Sequence, residues 1–315
     1  MKKTIIILLL TFLISTSANS QEITYSQDLV KLAYAGYADA QVALGLCFEQ
    51  GWGIAKDLNL ATMWYDKAAY DHKNANAMSQ LGRIRLFGPD YLQDYDEAFK
   101  LLTKAAKQKS TSNYRQSSAL RLLSYCYKDG KGTKKDVKKA IELLQKASIP
   151  YNGDKTDQVL INTVFLDFGF IYSQEQECMD ITKAVEYLSK VRPDISGNYY
   201  QAQTQLGIIY ENGELGEKNL KQAELHFRDG EPQNSWARYR LASIYYSQEK
   251  PEAFQLLQKT TNDKIPGAMV LLSHCYEFGV GITIDKEKAT YWLKEAAKYK
   301  DRKAIEFLKT VEDIE

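Results

Sequence analysis

The side chains with reactive potential are few: four cysteines and three histidines in 315 residues. Cys47, Cys126 and Cys275 share one position, each directly before an aromatic residue (Phe48, Tyr127, Tyr276). Elsewhere in the chain the same position holds Ile84, Ile171, Ile209 and Ile244. A site that accepts isoleucine as readily as cysteine reads as a small buried contact, not as a nucleophile or ligand. Cys178 stands outside that register and reads as a free thiol. His72, His226 and His274 are scattered, and the chain contains no HExxH and no CxxC. No metal ion and no cofactor is therefore expected. Gly51-Trp52-Gly53 and Gly130-Lys131-Gly132 could cradle a phosphate, but no strand precedes them and the fingerprint is incomplete, so both read as turns. Asp57, Asp94, Asp136, Asp180, Asn219 and Asp285 each stand four residues before an alanine. Acid–base chemistry would not need one carboxylate per repeat. A helix start does: a side-chain oxygen there satisfies free backbone N–H groups. A catalytic Ser/His/Asp or Cys/His set need only meet in space, and no spacing in this chain defines one, so the protein is read as non-enzymatic.

The elements that carry these residues repeat. Ala40–Ala69 reads as two helices joined by a glycine loop: Ala40, Leu44, Gly45 and Phe48, then Gly51 and Gly53, then Asp57, Ala61, Trp64, Tyr65, Ala68 and Ala69. The leucine recurs as Leu44, Leu81, Leu123, Phe168, Leu206, Leu241 and Leu272, with spacings between 31 and 45 residues. Four residues before each lies a small residue, from Ala40 to Ala268, and an i, i+4 pair occupies one helix face. The following position is glycine in four of the seven repeats (Gly45, Gly82, Gly169, Gly207). Glycine inside a helix costs about 1 kcal/mol against alanine, so its return implies a close approach that offsets the cost. Each second helix carries an apolar pair, such as Trp64-Tyr65, Leu101-Leu102 or His226-Phe227, that closes the core. A period of a few tens of residues marks a stacked-repeat protein. Stacking also spaces the three registered cysteines: helices pack about 8–10 Å apart, so positions two repeats apart are too distant for a disulfide, whose Cα atoms lie within about 7 Å.

The pattern A-x3-L-G-x2-Y/F-x2-G-x-G…D-x3-A-x2-W/L-Y/L-x2-A-A resembles the Sel-1-like repeat, a relative of the tetratricopeptide repeat. The resemblance covers residues 37–300 as seven repeats. It departs from the pattern at Gly88-Pro89, at Glu175-Gln176-Glu177 and at Glu249-Lys250-Pro251, where a glycine loop is replaced. It implies an all-α, right-handed α/α superhelical solenoid that acts as an adaptor in protein complexes. The segment 21–36 reads as an N-terminal cap helix, and 301–315, where Ala304 and Leu308 restart the seam, as a C-terminal one. Two inserts, near Lys107–Gln116 and Ile149–Asn162, read as connections, the second as a loop because it holds Pro150 and Gly153.

Residues 1–20 have the parts of a secretory signal: Lys2 and Lys3, an apolar run from Thr4 to Ile14, and small residues before Gln21. Their run is too short for a membrane span, so the mature protein is expected in the periplasm or outside the cell, with no membrane span after leader removal. Formal net charge is +1 for the whole chain and −1 once Lys2 and Lys3 are removed. No basic excess argues for nucleic acid as a partner.

One face is left over. With the core at Ala40, Leu44 and Phe48, residues two before and two after the leucine point away from the seam. The rows include Leu46, Arg83, Tyr125, Phe170, Ile208 and His274, and Val42, Ser79, Arg121, Leu166, Thr204, Tyr239 and Val270. If first helices line the concave side, as the resemblance implies, these rows form a groove for a protein or peptide partner. Packing between adjacent helices is the alternative for the same rows. A cell-envelope glycan or peptidoglycan fragment stacking on the tyrosine rings is a second class of ligand.

Overall fold

The structure is a computed structural model that describes residues 23–108, 113–148, 155–194 and 196–312. The expected leader, residues 1–20, lies outside them. Among the described residues every regular element is helical. The helices are α1 (Gln27–Tyr34), α2 (Ala38–Gln50), α3 (Leu58–Tyr70), α4 (Ala75–Phe87), α5 (Tyr95–Lys107), α6 (Asn113–Asp129), α7 (Val137–Ala147) and α8 (Lys155–Gln174). They continue as α9 (Ile181–Lys190), α10 (Asn198–Asn212), α11 (Leu220–Gly230), α12 (Ser235–Ser247), α13 (Glu252–Thr260), α14 (Pro266–Phe278), α15 (Lys286–Lys298) and α16 (Arg302–Glu312). Helices pair in chain order from α2/α3 to α14/α15, the helix-turn-helix solenoid class that the repeat implies. The chain divides into two compact units between Val164 and Phe165, within the span of α8. No described helix is long and apolar enough to cross a membrane.

Six of the seven second helices start at an aspartate or asparagine; α13 instead follows Pro251 with no side-chain cap. Asp57, Asp94, Asp136, Asp180, Asn219 and Asp285 accept the N–H of the residue three further on, at 2.8–3.0 Å. The backbone N–H of the same residue donates back to the first helix, for example Asp136 to the Tyr127 carbonyl at 2.8 Å and Asp285 to the Tyr276 carbonyl at 2.9 Å. One residue thus ends the loop and caps the helix.

The close approach implied by the helical glycines is a contact with the second helix of the same repeat. A Cβ on Gly45 would lie 2.6 Å from the Tyr65 ring, and one on Gly207 2.6 Å from the Phe227 ring. Gly82 and Gly169 face Leu102 and Leu188 in the same way. The second member of each apolar pair is accordingly buried in all seven repeats, from Tyr65 to Leu293. The first member is buried in the first three repeats and only half-buried in the last four.

The inserts differ from expectation. Helix α8 begins at Lys155, so Lys155–Asn162 is helical where a loop was expected. Leu160 and Val164 continue the i, i+4 seam upstream and both are buried, as is Asn162. Pro150 and Gly153 precede this helix start and lie outside the described residues. Gln116, in the other insert, belongs to α6, and its side chain donates to the Ala106 carbonyl at 3.1 Å. All four cysteines are free thiols, with Cys47, Cys126 and Cys275 buried and Cys178 half-buried. Burial pushes Cys126 up to about 12 and Cys275 up to about 11, so neither is a thiolate near neutral pH.

Candidate functional site

In the C-terminal unit, α12, α14 and α16 line a half-open cavity of about 410 Å³. Its floor is apolar: Val270 and Leu271 from α14, and Phe307 from α16. Its polar groups are Tyr239 on α12, His274 on α14, and Asp301, Lys303 and Glu306 at the start of α16. The helical period explains the α14 wall, since Gly267, Val270, Leu271 and His274 recur at i, i+3 and i+4 on one face. Tyr239 lies down against α14 because Gly267 has no side chain; the tyrosine hydroxyl is 2.6 Å from where a Cβ would sit. Helix α16 is held by Ala304 and Leu308, which pack with Met269, Val270, Leu293 and Ala296. That seating turns the neighbouring Phe307 toward His274, ring centroids 5.1 Å apart and planes at 89°. Tyr246 and Phe278 flank the same imidazole at 6.2 and 6.1 Å, and Trp236 packs on Tyr239 at 5.3 Å.

Burial lowers the His274 pKa, against the Glu277 charge, and the Lys303 ammonium lowers it further. The ring is therefore neutral near pH 7, with one nitrogen a donor and the other an acceptor. Burial likewise raises the Tyr239 pKa, keeping the hydroxyl protonated. Asp301 accepts the Ala304 N–H at 3.0 Å as the cap of α16, and Glu306 accepts from Arg302 at 2.8 Å. Ligand clefts in proteins in general combine an apolar lining with a few polar groups.

In the N-terminal unit the same rows converge once more. Phe87, 49% exposed at the end of α4, meets the Tyr125 ring edge-on at 5.4 Å. Arg121 donates to the Tyr125 hydroxyl at 3.0 Å and its guanidinium lies 5.2 Å from that ring. Lys131, in the loop of the third repeat, sits 5.4 Å from the Phe87 ring and 4.9 Å from that of Tyr95. These are cation–π distances.

The family model for the Sel1 repeat matches residues 38–71, 75–110, 117–148, 201–228 and 266–298. The chain belongs to the Sel1-repeat family. The Sel1-repeat-containing protein YjcO of Escherichia coli K12 is 31% identical over 229 residues, covering 71% of this chain and 90% of that protein. YjcO of Shigella flexneri gives the same identity and coverage. Among solved structures, c5321, a protective antigen of uropathogenic E. coli with an SLR fold, superposes with a TM-score of 0.65 at 23% identity. That match covers 88% of this chain, which spans 56% of the length of c5321. A Sel1 repeat protein from Oxalobacter formigenes superposes with a TM-score of 0.57 at 19% identity, over 87% of this chain and 99% of that one. Sel1 repeats generally mediate protein interactions.

In this Sel1-repeat protein two helix pairs lie outside the matched segments, α8/α9 and α12/α13, where the glycine loop is replaced. Both still pack as pairs: Phe168 stacks on Tyr187 at 4.4 Å, and Leu257 of α13 is buried in one cluster with Ala242 of α12. Of the residues singled out from sequence, the fold gathers Arg121 with Tyr125, and Tyr239 with His274. Arg83 instead forms an ion pair with Glu49 at 2.5 Å, and Glu49 also accepts the buried Tyr65 hydroxyl at 2.9 Å. Leu46 and Ile208 pack against core clusters, Leu166 is buried, and Phe170 is half-buried on the face of α8. Val42, Ser79, Thr204 and Val270 are buried between neighbouring helices. Phe87, Phe278 and Phe307 were missed. The first two stand four residues past Arg83 and His274, one further turn along a row already drawn.

Proposed function

We propose that this Sel1-repeat protein is an exported, non-enzymatic adaptor that binds protein or peptide partners on the face formed by its first helices. The binding residues are Tyr239, His274 and Phe170 in the C-terminal unit and Arg121 and Tyr125 in the N-terminal one. The leader-like segment at residues 1–20 supports a periplasmic or secreted location. The observation that carries the reading is the cavity walled by Tyr239, His274 and Phe307, an apolar space that the described residues line without filling. Rigid aromatic anchors of this kind dominate binding energy at protein interfaces, at about 2 kcal/mol or more each.

Replacing Tyr125, Phe170 and Tyr239 together by alanine is expected to abolish partner capture while the circular dichroism of the helices is unchanged. Capture that survives the triple substitution in a folded protein removes the reading.

A further inference from the structure

The loop of the third repeat carries a charge that the fold does not ask for. Residues 128–139 hold six lysines and two aspartates, a net +4. Loops of the same length occur in repeats one, five and seven, over residues 49–60, 211–222 and 277–288, and each of those stretches carries a net −1. The backbone closes alike in all four: the N–H of Asp57, Asp136, Asn219 or Asp285 donates to the carbonyl nine residues earlier at 2.8–2.9 Å. The lysines are therefore not needed to build the loop, and two of them oppose it. Lys138 and Lys139 stand in the first turn of α7, which holds no acidic residue, although the positive end of a helix dipole favours anions there.

The nearby carboxylates are already engaged. Asp129 pairs with Lys128 at 2.5 Å and Glu142 with Lys139 at 2.7 Å, while Asp136 caps α7. Asp94, Asp96 and Glu97, at the start of α5 against which the loop sits, line a cleft of their own with Tyr70, Lys100 and Lys104. Lys131, Lys134 and Lys138 form no ion pair among the described residues, and Lys134 and Lys138 are exposed. Beside them lie two open rings. Lys131 sits over Phe87 and Tyr95, which are 49% and 38% exposed.

We propose that this patch docks an acidic segment of the partner protein, its carboxylates at Lys131, Lys134 and Lys138 and an apolar side chain on Phe87 and Tyr95. The assignment rests on the reading that the protein binds protein or peptide partners. Charge complementarity of this kind fixes orientation and speeds association. A nucleic acid or an anionic bilayer is an extended polyanion, and outside the loop the chain carries a net −3. A short acidic segment meets the loop alone.

The test is fluorescence anisotropy of the mature chain with fluorescein-labelled Glu-Asp-Glu-Phe-Glu-Asp-Glu, and with the same peptide carrying Gln and Asn in place of its acids. The acidic peptide is expected to bind roughly tenfold or more tightly than the neutral one, and to lose affinity as added salt screens the charges. Lys131→Glu, Lys134→Glu and Lys138→Glu together, which leave the Asp136 cap in place, are expected to weaken its binding roughly tenfold or more. Lys218→Glu, Lys221→Glu and Lys286→Glu together make the same change in net charge in the loops of repeats five and seven, and are expected to leave affinity within about twofold. Equal losses in the two variants, or equal affinity for the acidic and neutral peptides, would overturn the assignment. Phosphatidylglycerol vesicles binding through the same three lysines, with no peptide bound, would overturn it in favour of a membrane surface. If the acidic peptide does not bind while the Tyr125, Phe170 and Tyr239 alanine variant still loses partner capture, this inference falls and the docking face stands.

Discussion

Phe227→Ala is expected to destabilise the C-terminal unit by about 3–5 kcal/mol, the usual range for removing a fully buried aromatic side chain. Phe227 is 0% exposed, in a cluster with Ala223, Ala237, Leu241 and Ile244. Its ring lies against Gly207, which has no side chain to move into the hole. The same contact gives the prediction a second arm. Helix propensity alone says that Gly207→Ala should stabilise α10 by about 1 kcal/mol. Against the intact Phe227 ring the added methyl overpacks, so Gly207→Ala should destabilise; in the Phe227→Ala background it fills part of the cavity and should stabilise. That reversal of sign in a double-mutant cycle, read by urea denaturation, identifies the contact. Additive effects would contradict it.

Gly132→Ala is expected to cost about 3 kcal/mol or more, from two separable sources. Gly132 has φ +68°, and a left-handed backbone costs a non-glycine residue roughly 1–2 kcal/mol. In addition, a Cβ there would run into the Tyr95 carbonyl oxygen at the start of α5, a backbone atom that cannot rotate away, with the Phe99 Cβ at 2.9 Å. Gly130 is the internal comparison. Its φ is +69°, but the nearest atom to its Cβ is 3.4 Å away, so Gly130→Ala should show only the conformational cost. Thermal melts of the two variants should therefore differ. The same loop position is used elsewhere: Gly281 meets the Pro251 carbonyl next to α13, and Gly53 meets Thr24 and Tyr25 ahead of α1. The second loop glycine is thus a seat for the previous second helix.

What was legible in the chain was whatever recurs. The N-cap aspartates, the small residue before each leucine and the helical glycines serve the same contact wherever they recur, so repetition substitutes for three-dimensional knowledge. The start of α8 was not legible, because Pro150 and Gly153 signal a turn while Leu160 and Val164 already belong to the seam. The cavity was half legible. Tyr239 and His274 lie on the drawn rows, but Phe307 and Lys303 come from α16, a single helix after the last repeat with no second copy to compare. The row before the leucine was drawn as a groove floor, yet Val42, Ser79, Leu166, Thr204 and Val270 are buried, since neighbouring helices reach that far around the cylinder. Exposed Phe87 and Phe278 required following the outer row to the helix end.

The measurement closest to the central claim is site-specific photocrosslinking in the cells that make the protein. A photoreactive phenylalanine replaces Phe278, 63% exposed on α14 beside the cavity, or Leu225, 49% exposed on the second helix α11. Partner crosslinks at Phe278 and none at Leu225 are the predicted result. Crosslinks at Leu225 with none at Phe278 would contradict it.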